Sequence, residues 1–431
     1  MPNEPQSTIK NSQLPIDPRV YHELPLKEQL VHIQKARGKA KYQLIINSRK
    51  PELVVPRLHP QELYLTINEL GAVDALDLIA LASPEQITLA LDLDCWHRDR
   101  LEADTSLDWL EFLLNCGEEK ICQIARSVEP EILALILKKH LTITRGIEAY
   151  DDDDAENARR LESLYDIDYR SEDAAKIIGA IIKIWQELEQ GCFLQIMETV
   201  RNEQLSVLEE EVFQNRNARL LDYGLVPENE ARSIYALVDP QQFTTGDKAD
   251  FAVEAQALPS PLAILNCATP ANLFAAVLEA GVRHETACEL LHLVNRRFSA
   301  DGIDLSSEKD IADNLQATYD TLNLALEYLA GSDSGTATQI MDSTYIQRLF
   351  QLGHTLVKHC QLRAEKVAQH QAAEELDDSA TLFLDSLIQQ PPLHYLPGGE
   401  GVPATIRPIT SLQQLRLVEE QLTALESALT G

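Results

Sequence analysis

Gly71 and Gly117 stand 46 residues apart, and the same spacing separates Pro84-Glu85 from Pro130-Glu131. With these marks superposed, apolar positions follow in register: Ile67 with Leu113, Ala75 with Ile121, Leu78 with Ile124, Ile87 with Leu133, Leu91 with Leu137. Glycine tolerates the left-handed backbone just past a helix end, and proline in a first turn lacks an amide hydrogen that no carbonyl there would accept. Each stretch therefore reads as helix, Gly stop, helix, Pro-Glu start, helix. A period of about 46 residues falls in the range of helical solenoid repeats, whose units bury their apolar stripe only by stacking on the next unit. A fainter echo runs over 262–297, where Pro270, Leu273 and Gly281 match Pro60, Leu63 and Gly71.

The rest of the chain predicts helices over 26–46, 173–188, 192–221, 228–237, 308–329 and 340–373, with a last one from Ser411. No convincing run of alternating β-branched residues appears, so the expected fold class is all-α: helical-repeat, superhelical modules with irregular Pro-rich termini. The expected organisation is an extended arm over 1–24, a repeat module over 25–145, an acidic linker and middle helical region over 146–250, and a C-terminal helical module over 251–431. Within the last, 391–408 carries five prolines and three glycines and reads as irregular. The start has polar residues and prolines where a secretory signal needs an apolar stretch, and no apolar run is long enough to cross a membrane. A cytoplasmic protein is the expectation, and the seven cysteines, with no CxxC pair, read as reduced and mostly buried thiols.

Lys+Arg 37 against Asp+Glu 68 gives a net charge of −31, which repels phosphate backbones and anionic lipid. Nucleic acid is thereby disfavoured, and another protein is the expected partner. One stretch runs against the balance: Lys27, Lys35, Arg37, Lys39, Lys41, Arg49 and Lys50 face Glu28 alone. Such a face either docks an acidic partner or RNA, or neutralises the protein's own acidic surface. Residues 148–173 are the opposite extreme, with the Asp151, Asp152, Asp153, Asp154 run as a self-repelling loop and a weak candidate for a divalent cation.

The densest polar motif is Asp92-Leu-Asp94-Cys95-Trp96-His97-Arg98-Asp99-Arg100. Asp92, Asp94, His97 and Asp99 form a candidate cluster, since a carboxylate beside an imidazole supports acid/base chemistry. The competing reading is a junction between helices, with Trp96 as anchor and the charges as caps. His284, Cys288 and His292 share one helical face, but the first and last are about 12 Å apart at 1.5 Å per residue, too far for one zinc ion. His354, His359, Cys360 and His370 decorate another helix without a common face. Phosphate-cradling loops, dinucleotide fingerprints, zinc-protease motifs and nucleophile elbows are all missing, and no cofactor is expected.

With LeuHisProGlnGluLeu at 58–63, GlyAlaValAspAlaLeu at 71–76, SerProGluGln at 83–86 and LeuAspLeuAsp at 91–94 laid out, the segment 53–140 resembles the cytoplasmic N domain of MgtE-type magnesium transporters, a helical superhelix. The whole chain also resembles an uncharacterised bacterial family marked by AspLeuAspCysTrp at 92–96 and ArgLeuLeuAspTyrGlyLeuValProGlu at 219–228. The first resemblance implies architecture and not transport, because the membrane part is missing from this sequence. Three functions follow as expectations: a non-catalytic scaffold binding a macromolecule, a divalent-cation-responsive regulatory module, and an enzyme centred on Asp94, His97 and Asp99.

Overall fold

The computed structural model describes residues 18–145, 165–248, 265, 268–305, 307–370, 376–398 and 403–430. Helices dominate throughout, as the 3.6-residue patterning predicts. The described chain forms two compact units, the first reaching Asp222 and the second beginning at Tyr223. Residues 165–222, which charge and punctuation set apart as a middle region, pack into the first unit, and 223–248 into the second.

The first unit opens with α1 (Pro18–Glu23), α2 (Leu26–Lys35), α3 (Gly38–Ile46) and α4 (Pro51–Val54). The helix over Pro18–Glu23 replaces the end of the expected extended arm. The single helix expected over 26–46 is two, because Ala36 and Arg37 both adopt extended backbone. Then come α5 (Pro60–Leu70), α6 (Leu76–Leu81) and α7 (Pro84–Asp94), and after a short hairpin α8 (Ala103–Asn115), α9 (Glu118–Ser127) and α10 (Pro130–His140). The punctuation sits where the spacing puts it. Gly71 and Gly117 lie at helix ends with φ of 86° and 100°, and Pro60, Pro84 and Pro130 each open a helix. Ser83 and Gln86 complete a reciprocal capping box, and Gln86 Nε2 donates on to the carbonyls of Val55 and Leu58. All five apolar pairs of the 46-residue register are buried.

The unit closes with α11 (Glu172–Leu188), α12 (Gln190–Asn202) and α13 (Leu205–Leu221). The helix expected over 192–221 is interrupted at Glu203, which is extended. Trp185 anchors α11 against α9, 1% exposed with Nε1 donating to the Ile121 carbonyl at 3.1 Å. Fully burying one such large side chain contributes about 1.5–3 kcal/mol.

The second unit contains α14 (Glu228–Ala231), α15 (Asn272–Ala280), α16 (His284–Asp301), α17 (Glu308–Ala330), α18 (Ser334–Ser343), α19 (Ile346–Ala368), α20 (Asp378–Ile388) and α21 (Leu412–Thr430). Its core gathers Leu324, Cys360, Ala364, Phe383, Leu384, Leu387, Val418 and Leu422 from α17, α19, α20 and α21. The crossing of α17 and α19 is close enough that a Cβ added at Gly353 would stand 2.0 Å from the Thr321 carbonyl oxygen.

Three antiparallel pairs depart from the expectation of helix alone. These are β1 (Trp96–His97) with β2 (Arg100–Leu101), β3 (Leu141–Arg145) with β4 (Asp166–Tyr169), and β5 (Leu393–Leu396) with β6 (Thr405–Pro408). The second pair puts a strand inside the acidic stretch 148–173, past the Asp151 to Asp154 run, and the third puts two into 391–408, expected to be irregular. There the prolines flank the strands, and Pro408 lies at a ladder end, where its missing amide hydrogen costs little.

Candidate functional site

The polar motif at 92–100 spans the last turn of α7 and the β1–β2 hairpin, and the structure divides it in two. Asp92 is 2% exposed and faces inward. Its Oδ2 accepts from Arg219 Nε at 2.8 Å and its Oδ1 from Arg219 Nη2 at 2.9 Å, a bidentate pair reaching from α13. Arg219 Nη1 also donates to both oxygens of Glu129, each at 2.8 Å. Neighbouring Arg216 donates from Nε to the Asp92 carbonyl at 2.7 Å, and its guanidinium lies 5.4 Å from the centre of the Trp96 ring. Trp96 packs in turn on Phe213, with ring centres 5.8 Å apart.

Burial pushes the Asp92 carboxyl above its ordinary value, while the Arg219 bonds pull it back. Burial also works against the charge on Arg219, but its two carboxylate partners outweigh that and hold its protonation up. Arg216 is lowered to about 10 by burial.

Asp94 is consumed in a second structural arrangement. Its Oδ1 accepts from the Tyr64 hydroxyl at 3.2 Å and its Oδ2 from Trp109 Nε1 at 2.7 Å, which ties α7 to α5 and α8. His97 and Asp99, by contrast, are exposed on the hairpin, where Arg98 takes a φ of 57°. Among the described residues no hydrogen bond joins His97 to Asp92, Asp94 or Asp99. The structure therefore brings Asp92 and Asp94 to protein donors, and leaves His97 and Asp99 at the surface.

Sequence reasoning missed Arg216 and Arg219. Both stand near the C-terminus of α13, where positive charge suits the helix dipole, and that local explanation hid a partner 127 residues away. Glu209 on the same helix was also unforeseen: its Oε1 accepts from the Leu101 amide at 3.0 Å and pairs with Lys139 Nζ at 2.6 Å. The available signal was the negative charge of Asp92 among the apolar residues Leu89, Ala90, Leu91 and Cys95.

Other candidates can be placed. Asp151, Asp152, Asp153 and Asp154 lie outside the described residues. Among the described residues no group of three or more His, Cys, Asp or Glu side chains is arranged to hold a metal ion. On α16, Cys288 Sγ stands 3.6 Å from His284 Nε2, and burial raises its thiol. Cys288 and His292, with Arg296, Tyr345 and Gln347, line an open groove of about 330 Å³ in the second unit. Arg296 Nη1 donates to Gln347 Oε1 at 3.0 Å, so the groove's cation is already engaged. Of the set expected on one helix, Cys360 is buried, His354 half-buried and His359 exposed on α19, whereas His370 lies exposed just past its end.

Residues 18–430 match the family of unknown function DUF6178, and the chain belongs to that family. Two stretches that carry the resemblance to an uncharacterised family, 92–96 and 219–228, meet at the Asp92–Arg219 pair. No curated protein and no solved structure matches the chain. Among the described residues no helix is long and apolar enough to cross a membrane.

Proposed function

We propose that this chain is a non-catalytic helical-repeat protein of the cytoplasm that binds another macromolecule, namely a protein. The observation that carries the reading is the fate of the polar motif. All four carboxylate oxygens of Asp92 and Asp94 accept from Arg219, Tyr64 or Trp109, all within the protein's own framework. The groups that an enzyme would need free thus hold helices together, and His97, the one imidazole of the motif, makes no bond to either carboxylate. The matched punctuation of 60–94 and 103–140, with every aligned apolar pair buried, supports reading them as stacked repeats, and stacked repeats offer extended surfaces suited to partners.

A cation-responsive module is the alternative, resting on the Asp151 to Asp154 run and on the resemblance of 53–140 to the transporter domain. Titration of the full chain with magnesium in a calorimeter separates the two. Heat and a raised melting temperature support the alternative, and their absence removes it. The binding reading is tested by chemical crosslinking in the native cell followed by mass spectrometry of the tagged full chain. A reproducible crosslinked protein partner is expected, and recovery of the free chain alone overturns the proposal.

A further inference from the structure

α2 turns a basic and apolar line outward in a protein whose net charge is −31. Its core side is made by Gln29 and Ile33, 2% and 0% exposed. At 100° per residue, Val31 lies diametrically opposite that side, with Lys27 one turn before it and Lys35 one turn after. Val31 is 47% exposed and both lysines are exposed. Arg37, in the turn toward α3, and Lys39, in the first turn of α3, are exposed as well.

The obvious explanation for such cations is that they neutralise the protein's own acids, and Lys41 does so, paired with buried Glu62 at 2.6 Å. The other four make no such pair, although Glu28 is exposed on the same helix and the Glu69 carboxylate lies against Gly38, between Arg37 and Lys39. Among the described residues none of Lys27, Lys35, Arg37 and Lys39 lies within ion-pair distance of a carboxylate, although acidic side chains outnumber basic ones by 68 to 37 in the chain. Four unpaired cations flanking an exposed valine form a surface whose complement is acidic and apolar together.

We infer that the outward face of α2, with the Arg37–Lys39 turn, docks an acidic segment of another protein, one that places an apolar side chain on Val31 between carboxylates that meet Lys27, Lys35, Arg37 and Lys39. This rests on the binding reading above and adds the surface and the partner's chemistry. Nucleic acid fits less well. Among the described residues of α1 to α3 neither tyrosine offers a stacking platform for bases: Tyr21 is 1% exposed and half-buried Tyr42 donates its hydroxyl to Asp77 at 3.0 Å. The acidic remainder of the chain also repels a long phosphate backbone, whereas a short acidic segment can stay within the local positive field.

The test is selection of a random peptide library on the immobilised full chain, followed by affinity measurements with wild type, with a variant carrying Lys27→Gln, Lys35→Gln, Arg37→Gln and Lys39→Gln, and with Val31→Gln. All five positions are exposed, and circular dichroism verifies the fold. Selected peptides are expected to be acidic with at least one apolar residue, to bind more weakly as salt rises, to lose roughly tenfold or more on the four-site variant, and to lose several-fold on Val31→Gln at unchanged charge. Peptides without acidic bias, or held equally by the four-site variant, overturn the surface while leaving a binding protein. Enrichment of nothing on the wild type removes this inference, and only the crosslinking experiment yielding free chain removes the wider reading with it. Mixed-sequence RNA, phosphatidylserine vesicles and the chain's own self-association are run in parallel. A dependence of any of these on the same four cations, without an acidic peptide ligand, also overturns it.

Discussion

Arg219 lays Nε and Nη2 on the two carboxylate oxygens of Asp92, at 2.8 and 2.9 Å, and so joins the end of α13 to the end of α7. Removing one partner of such a pair strands a charge that has left water, whereas removing both leaves only a packing problem. Arg219→Met is expected to destabilise the first unit by about 3–5 kcal/mol, and Asp92→Leu with Arg219→Met to recover most of that loss. Tryptophan fluorescence during urea unfolding reads this directly, because all three tryptophans, 96, 109 and 185, lie in the first unit. A double variant as unstable as the single one would show that the charges themselves are required.

Close approach and backbone strain separate at two glycines. Gly71→Ala meets no atom within 4 Å and is strained only by its φ of 86°, so a loss of about 1 kcal/mol is expected. Gly353→Ala must push α17 and α19 apart, since the Thr321 carbonyl oxygen stands 2.0 Å from the new carbon. An overpacking cost of about 1–3 kcal/mol or more is expected there. Thermal unfolding followed by circular dichroism should rank Gly353→Ala well below Gly71→Ala.

His354 packs in a triangle of rings with Tyr235, centred 5.0 Å away, and Phe350, parallel within 4° at 6.4 Å. Burial lowers its imidazole to about 4; the charges of Lys358 and Arg297 push the same way, and Asp301 opposes them. The unfolded chain therefore takes up this proton first as pH falls. Stability is fully present above about 6.5 and is lost progressively toward about 4, by the order of 1–3 kcal/mol. Hydrogen exchange in α19 at pH 7 and pH 5 is expected to show faster opening at the lower pH, and His354→Gln is expected to reduce that difference.

The thiols should react in the order that their surroundings dictate. Cys95 is 0% exposed, and burial, with the Asp94 and Asp92 charges adding, raises it well above the ordinary range. Cys360 is 1% exposed and pushed up to about 12, mainly by burial. Since the thiolate is the nucleophile, iodoacetamide at mildly alkaline pH should leave both untouched in the native chain and label half-buried Cys192 before either. Peptide mapping reads the outcome, and early labelling of Cys95 would contradict the packing around the polar motif.

Helices were legible in the sequence where periodicity and punctuation agreed. Gly71, Gly117, Pro84 and Pro130 mark helix ends in the structure as their chemistry requires. The break at Ala36–Arg37 had its signal in Gly38, which opens α3 with a φ of 50° but lies inside an otherwise helical pattern, and the break at Glu203 carries neither glycine nor proline. The strand Leu141–Arg145 did carry an alternating signal in Leu141 and Ile143, but it is short and runs straight on from a helix. The candidate site was half legible. Its polar density was visible at 92–100, yet its partners Arg219, Tyr64 and Trp109 come from helices distant in the chain, and each has a sufficient local explanation of its own.

The clasp between Asp92 and Arg219 also has a schedule. At synthesis rates of about 5–20 residues per second, Asp92 leaves the ribosome on the order of ten seconds before its guanidinium exists. Throughout that interval the nascent segment lacks the donor that holds this carboxylate in the finished chain, so burying the end of α7 costs least once α13 has been translated.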